Sequence, residues 1–427
     1  MHSTTTHSLP LAQPRAIALG LLVCLAACAD GGKEDRPQSE VKISRTQHFV
    51  GFRSLRGFGA PPIGQNVVIT DRGKLNLFAD STYTVTRGAQ TTGAELYALE
   101  STGALSLFLQ GGGTEPSVVF LGGYGLFDGE TSATDMFFTD RVSTPASPSL
   151  GLFVSTRVAT GQVELEGDWH VLSQHAIFNQ TILTPDNVGR AAHGSVDIAA
   201  GAAGTVRAIS GTGTQSQATQ GQGPITFGGT IQNVLVSGSG DGTCNMTLQY
   251  GADSRIVLAV ATGDATVGKL LIGLDDEENE TDGEAGIVLM VREFNGTLDP
   301  AKVDGRFLVG GHTLFVNPTN AGSDAFVGVV TLGDVTLSEP GAFRLDAVGN
   351  QGIDFTYTGT YVLLPVGGGS ADLDGGIKIT IPGTNETWFA AIDRSYNTLV
   401  FVDDFIEARN NPELNIGFAV REKPDQN

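Results

Sequence analysis

The sequence predicts an all-β protein of three tandem antiparallel meanders. Each has about eight strands rolled into a barrel, with a two-sheet sandwich as the close alternative. Three observations predict it. Short runs of Val, Ile, Leu, Phe and Thr alternate with turns drawn from 58 glycines, the punctuation of strands and hairpins. No amphipathic helix of four turns follows the N-terminal segment. Four landmarks recur in the same order, three times, at a period of roughly 130–145 residues.

The first landmark is a small residue, Thr and a bulky residue opening a strand: Ser81-Thr82-Tyr83, Gly229-Thr230-Ile231 and Gly359-Thr360-Tyr361. The second is a turn glycine followed by alternation, beginning at Gly103, Gly242 and Gly375. The third is an apolar strand ending in acid, at 136–140, 270–276 and 399–404. The fourth is a closing strand from glycine to arginine: Gly151 to Arg157, Gly286 to Arg292 and Gly417 to Arg421. The loops between the third and fourth landmarks are polar and unlike one another, as loops on a common scaffold are.

The middle unit divides into strands near 169–172, 194–198, 205–209, 230–236, 245–250, 255–260, 269–274 and 287–292. Most alternate apolar with polar or small residues, so one face is buried and one is wet. Short connections suit hairpins, and eight strands in simple succession close into an up-and-down barrel without exposed edges. A propeller needs landmarks at about 40–50 residues. A membrane-spanning pore needs about ten-residue strands with aromatic girdles, yet the chain has only 2 Trp and 7 Tyr.

The N-terminus has its own logic. Arg15 is the only charge before Asp30, and residues 16–27 are apolar. That run is too short for a bilayer span of about 20 residues and reads as an export signal. It ends in Leu25-Ala26-Ala27-Cys28. Residues 30–44 mix charge with Gly and Pro and read as a flexible tether.

The expected organisation is a signal peptide over 1–27, a tether over 28–44, and barrel units over 45–158, 159–294 and 295–427. The formal net charge is −21, which excludes nucleic acid as a partner. Once Cys24 leaves with the signal and Cys28 is modified, Cys244 is alone and no intrachain disulfide forms. Stability must then come from the cores. Cys244 and the two tryptophans, Trp169 and Trp388, read as core residues.

The Leu25-to-Cys28 segment resembles a bacterial lipobox. The resemblance implies cleavage before Cys28, a diacylglycerol on its thiol and a further acyl chain, such as palmitate, on its amine. Two or three chains anchor stably where one is marginal. Ala29, rather than aspartate, follows the cysteine, which under the enterobacterial sorting pattern implies the outer membrane. The repeated meanders resemble the lipocalin or avidin architecture and the tandem repeats of bacterial lipoproteins of unknown function.

Histidines recur near the start of each unit, at His48, His175 and His312. The middle unit adds His170 and His193. A zinc or copper site needs convergence, and the odd spacing of His170 and His175 puts them on opposite faces of a strand. A strand-end histidine with a local hydrogen bond is the more ordinary role. The run 275–284 holds Asp275, Asp276 and Asp282, enough oxygens for calcium, but lacks the spacing and central glycine of a helical calcium loop. His175, His312, Asp275, Asp276 and Asp282 are therefore the weak metal candidates, and neither a metal nor a cofactor is expected.

Asp241-Gly242 and Asp374-Gly375 read as hairpin turns. No nucleophile elbow, zinc-protease motif or phosphate loop is present, and the chain is read as a non-enzyme. The expected function is a lipid-anchored exported protein with a structural or binding role. Its partners would be the membrane and a component of the cell envelope. The alternatives are a carrier for a small apolar ligand and a secreted hydrolase.

Overall fold

A computed structural model describes residues 39–55, 68–109, 117–125, 135–140, 149–156, 164–177, 189–201, 205–217, 221–232, 243–263, 268–275, 284–294, 296–317, 320–349, 354–366, 373–382, 386–404 and 413–423. The protein is almost entirely β. Among the described residues its one helix is a single turn, and no helix is long and apolar enough to cross a membrane.

The first unit contains β1 (Arg45–Leu55), β2 (Val68–Leu77), β3 (Thr82–Arg87), β4 (Gln90–Thr91), β5 (Glu95–Leu99), β6 (Ala104–Leu109), β7 (Ser117–Tyr124), β8 (Asp135–Asp140) and β9 (Ser149–Thr156). They form one sheet in the order β2-β1-β9-β8-β7-β6-β5-β3-β4, and an additional pairing of β2 with β3 brings its ends together.

The second unit contains β10 (Gly167–Ile177), β11 (Arg190–Ile198), β12 (Val206–Gln217), β13 (Gly221–Gln232), β14 (Thr243–Tyr250), β15 (Asp253–Gly263), β16 (Gly268–Asp275) and β17 (Glu284–Arg292). The third contains β18 (Gly305–Asn317), β19 (Asn320–Gly333), β20 (Gly341–Val348), β21 (Asp354–Leu363), β22 (Ile377–Ile381), β23 (Glu386–Ile392), β24 (Thr398–Asp404) and β25 (Glu413–Arg421). Each is a closed antiparallel barrel in simple up-and-down order. The turn α1 (Pro300–Val303) precedes β18. Proline opens it, and the Asp299 carboxylate accepts from the Ala301 N–H, both ordinary helix-start devices.

Each unit has its own apolar core. In the first, Phe138 stacks on Phe153 at 4.8 Å while Phe49 and Phe120 meet both rings edge-on. In the second, Trp169, Phe227, Tyr250, Met246 and Met290 are buried together. In the third, Trp388 stacks on Phe401 at 5.2 Å, with Phe343 and Tyr357 edge-on to it. Burying a large apolar side chain is worth about 1.5–3 kcal/mol, so each unit has a substantial core of its own.

The second, third and fourth landmarks fall on corresponding strands: β6, β14 and β22; then β8, β16 and β24; then β9, β17 and β25. The first does not. Thr82 opens β3, whereas Thr230 and Thr360 lie near the ends of β13 and β21, strands that run the other way. In both of the latter, the preceding glycine packs against a neighbouring backbone. A Cβ on Gly229 would stand 1.9 Å from the Thr247 carbonyl, and one on Gly359 2.1 Å from that of Thr380.

The expectation of one buried and one wet face also needs correction. It holds for β20, where exposed and buried residues alternate. It fails for the described residues of β9 and for nearly all of those of β16, β17 and β25, where consecutive residues are buried. These strands are covered on both sides because the units pack against one another along them. The first unit meets the second through β1, β2 and β9 against β16 and β17. It meets the third through β7, β8 and β9 against β18, β19 and β25. The second meets the third through β10 and β11 against β24 and β25. Glycines make room there: a Cβ on Gly310 of the third unit would stand 2.4 Å from the ring of Phe137 in the first.

Candidate functional site

Two places gather chemically capable side chains. One lies inside the second barrel, the other between the units.

On β10, Trp169 and Val171 belong to the barrel core, so Ser173 and His175, at the same parity, also face inward. Asp275 on β16 and His175 both pair with Gly286 on β17. The three therefore share one level of the wall. A Cβ on Gly286 would stand 2.2 Å from the His175 ring. Without one, the imidazole lies across the glycine, and its Nε2 comes within 3.4 Å of an Asp275 carboxylate oxygen. Both side chains are buried. Tyr250 meets the imidazole edge-on at 5.4 Å and donates its hydroxyl to Ser173 Oγ at 3.2 Å. Arg190 is the cross-strand partner of His175 on the other side.

The structure thus brings together two of the sequence candidates, His175 and Asp275. Asp276 and Asp282 lie outside the described residues, as does the side chain of Cys244. His312 is not part of this group. It faces away from its own barrel interior, into the contact between units. The recurring histidines are consequently not equivalent positions: His175 points into a barrel, whereas His312 points out of one. Among the described residues, no three His, Cys, Asp or Glu side chains are grouped to hold a metal ion. The His175–Asp275 pair is a close polar contact that supplies only two ligating groups.

Between the units, polar groups are buried and matched. Gln174 on β10 donates its amide to the carbonyls of Leu414 at 2.6 Å and His312 at 3.2 Å, and its oxygen lies 2.7 Å from His312 Nδ1. Phe52 of the first unit completes the contact, edge-on to the His312 ring at 5.0 Å. One glutamine, one histidine and one phenylalanine thereby join three sheets. His193 of the second barrel stacks on Phe389 of the third at 4.0 Å.

The second junction is ionic. Lys269 Nζ of the second barrel lies 3.8 Å from a carboxylate oxygen of Asp135 in the first unit and 3.6 Å from one of Asp393 in the third. Asp135 also accepts the hydroxyls of Thr156, in its own unit, and Thr398, in the third, at 2.8 and 2.7 Å. Asp393 accepts the backbone N–H groups of Asn397 and Thr398. Both carboxylates are fully buried. Such a cluster persists only when every lone pair is matched.

Burial alone pushes His170 and His312 down to about 3, and burial with the nearby Lys378 does the same to His193. All three are neutral at physiological pH. Burial pushes Glu293 up to about 7, against a lowering hydrogen bond from Ser195. Its carboxyl stands 3.4 Å from His170 Nδ1. Because the imidazole is neutral, this contact is a weak polar one and not an ion pair.

Sequence reading missed Lys269, Asp135, Asp393 and Gln174. Lys269 and Asp135 stand at the start of apolar runs and Asp393 just after one, whereas Gln174 lies among other polar residues and carries no such signal.

No family model matches the chain, and no curated protein matches it. Among solved structures it is similar to a transferrin binding protein B double mutant from Haemophilus parasuis Hp5. The identity is 10%, the match covers 91% of this chain and 78% of that one, and the TM-score is 0.26. It is similar to the isotype 1 transferrin binding protein B from serogroup B Neisseria meningitidis, at 10% identity over 92% and 79% of the two chains with a TM-score of 0.22. It is also similar to the haemoglobin receptor HpuA from Kingella denitrificans, at 12% identity over 60% and 90% with a TM-score of 0.22. At TM-scores this low the overlap establishes neither a common architecture nor a common function.

Proposed function

We propose that the chain is a lipid-anchored envelope protein with a binding or structural role, acylated at Cys28 and sorted to the outer membrane. In this reading its three units act as one rigid body and catalyse no reaction. The observation that carries it is the use made of the reactive side chains. Asp135, Asp393 and His312, which could serve chemistry at an open site, are instead buried in the joints between units, and the half-buried Lys269 is engaged by the two carboxylates. Rigid joints suit a protein that presents loops to a partner, because fixed loops lose less entropy on binding.

The apolar-carrier alternative finds less support. The interior of the third barrel holds Phe343, Tyr357 and Phe401, each in ring contact with Trp388. A ligand there would have to displace them.

Metabolic labelling with a clickable palmitate analogue, followed by mass spectrometry of the N-terminal peptide, tests the anchor. The reading expects acyl chains on Cys28 and their loss in Cys28→Ser, with release of that variant from the membrane fraction. Crosslinking on intact cells then tests the binding role. Recovery of a stable envelope or protein partner supports it. An unacylated N-terminus starting elsewhere than Cys28 refutes the anchor.

A further inference from the structure

We propose that Lys269 and Asp135 condense into an amide, a covalent bond between the second unit and the first, with Asp393 of the third unit carrying the protons. The inference concerns the joint alone and does not rest on acylation at Cys28. The chain reacts with itself once and turns over no substrate.

The backbone places the three side chains. Asp135 opens β8, Lys269 is the second residue of β16, and Asp393 lies in the turn that leads into β24. These are corresponding strands, one from each unit, and their starts meet. Lys269 Nζ lies 3.8 Å from Asp135 Oδ2 and 3.6 Å from Asp393 Oδ2. Asp135 is 1% exposed and Asp393 0%, so bulk water is kept from the acids. An amine and a carboxyl held together by folded sheets have already lost the freedom that a reaction between separate molecules must give up.

Hydrogen bonding selects between the two acids. Asp393 is engaged at both oxygens. The N–H groups of Asn397 and Thr398 donate to Oδ1 at 2.7 and 2.8 Å, and the N–H and hydroxyl of Ser395 donate to Oδ2. Loss of either oxygen would orphan a backbone donor in the turn, which is costly where water cannot replace the acceptor. Asp135 instead accepts two hydroxyls, from Thr156 at Oδ1 and from Thr398 at Oδ2, at 2.8 and 2.7 Å. A hydroxyl can donate or accept. When Nζ takes the place of Oδ2, Thr398 turns and accepts from the new amide N–H, while Oδ1 keeps Thr156. Asp135 is therefore the electrophile and Asp393 the base.

The step balances without a co-reactant. Asp393 takes one proton from the ammonium, and the freed Nζ lone pair attacks Asp135 Cγ. The Cγ–Oδ2 bond then breaks. The departing oxygen leaves as water with two protons from the ammonium, the first of them returned by Asp393. The amide nitrogen keeps the third, and Asp393 ends as the carboxylate it was.

Burial supplies the drive. Before the bond forms, the joint is held by ion pairs alone, with one ammonium and two carboxylates drawn out of water. Each of these charges carries a desolvation cost. Afterwards a single charge remains, on the acid with four donors, and the net charge of the cluster is unchanged.

The test is tandem mass spectrometry of tryptic peptides from the denatured full-length protein. The parent should give a branched peptide that joins residue 269 to residue 135 and is lighter by one water than its two linear parts. Lys269→Arg, which keeps the positive charge, should give linear peptides, and so should Asp393→Asn with Lys269 and Asp135 intact. Circular dichroism shows that each variant is folded. The parent measurement decides the bond without any variant: linear peptides bearing Lys269 and Asp135, recovered in full from folded parent, overturn it. A branched peptide as abundant in Asp393→Asn as in the parent overturns the role of Asp393.

Discussion

His312 Nδ1 of the third barrel lies 2.7 Å from Gln174 Oε1 of the second, with both side chains buried. Because the same glutamine also donates to two carbonyls of the third barrel, its amide is matched at both ends. A buried amide in that state fixes the register of one barrel on the other. Gln174→Leu, similar in size, should leave the His312 ring and the Leu414 carbonyl short of partners. Such losses cost about 1–3 kcal/mol, and urea unfolding should show a lower midpoint of that order.

Lys269 is the stronger joint. Lys269→Met removes the cation between two buried carboxylates and should destabilise by about 3–5 kcal/mol, as breaking a buried ion pair does. Adding Asp135→Asn and Asp393→Asn removes the uncompensated charges and should recover much of the loss. A Lys269→Met protein as stable as the parent in calorimetry would show that the cluster contributes nothing.

Acid should loosen the same joints. The folded-state values of His170, His193 and His312 are depressed to about 3, so their contribution is full above the unfolded value of about 6.5. It is lost as pH falls from there toward 3, because only the unfolded chain takes up the protons. Glu293 has the opposite sign. Raised to about 7, it contributes fully below about 4.5 and loses that contribution as pH rises through 7. Three groups oppose one, so the urea midpoint should fall between pH 6.5 and 5, a window in which ordinary carboxylates barely titrate. His312→Gln should make the fall shallower, and a flat midpoint across this window would contradict the assignment.

Inside the second barrel, Gly286→Ala places a methyl group where the His175 ring lies. The imidazole must leave Asp275, and overpacking of this kind costs about 1–3 kcal/mol. The His175 ring resonances in NMR should shift with loss of the carboxylate contact.

Much of the fold was legible. The middle unit's eight strands each overlap a segment marked by alternation or by an apolar run. β12 runs past its expected end and β13 begins well before its expected start, because the stretches at 211–217 and 221–226 continue the ladder without an apolar signature; residues 233–236 of the expected strand lie outside the described residues. The joints were not legible. Leu399 to Val402 and Ile287 to Val291 are apolar at every position, which identifies strands buried on both faces but not what covers the second face. Residues such as Gln174 and Lys269 carry no periodic mark, and only the packing of one sheet on another reveals their use.

The most direct test of a single locked body uses the two tryptophans, Trp169 in the second barrel and Trp388 in the third. Trp388→Phe and Trp169→Phe each leave one reporter. Urea unfolding of each variant is followed by fluorescence and by far-UV circular dichroism, which sees every strand. Coincident transitions by both probes in both variants are the predicted result. A fluorescence midpoint that separates from the circular dichroism midpoint would mean that the barrels unfold independently and that the buried joints do not unite them.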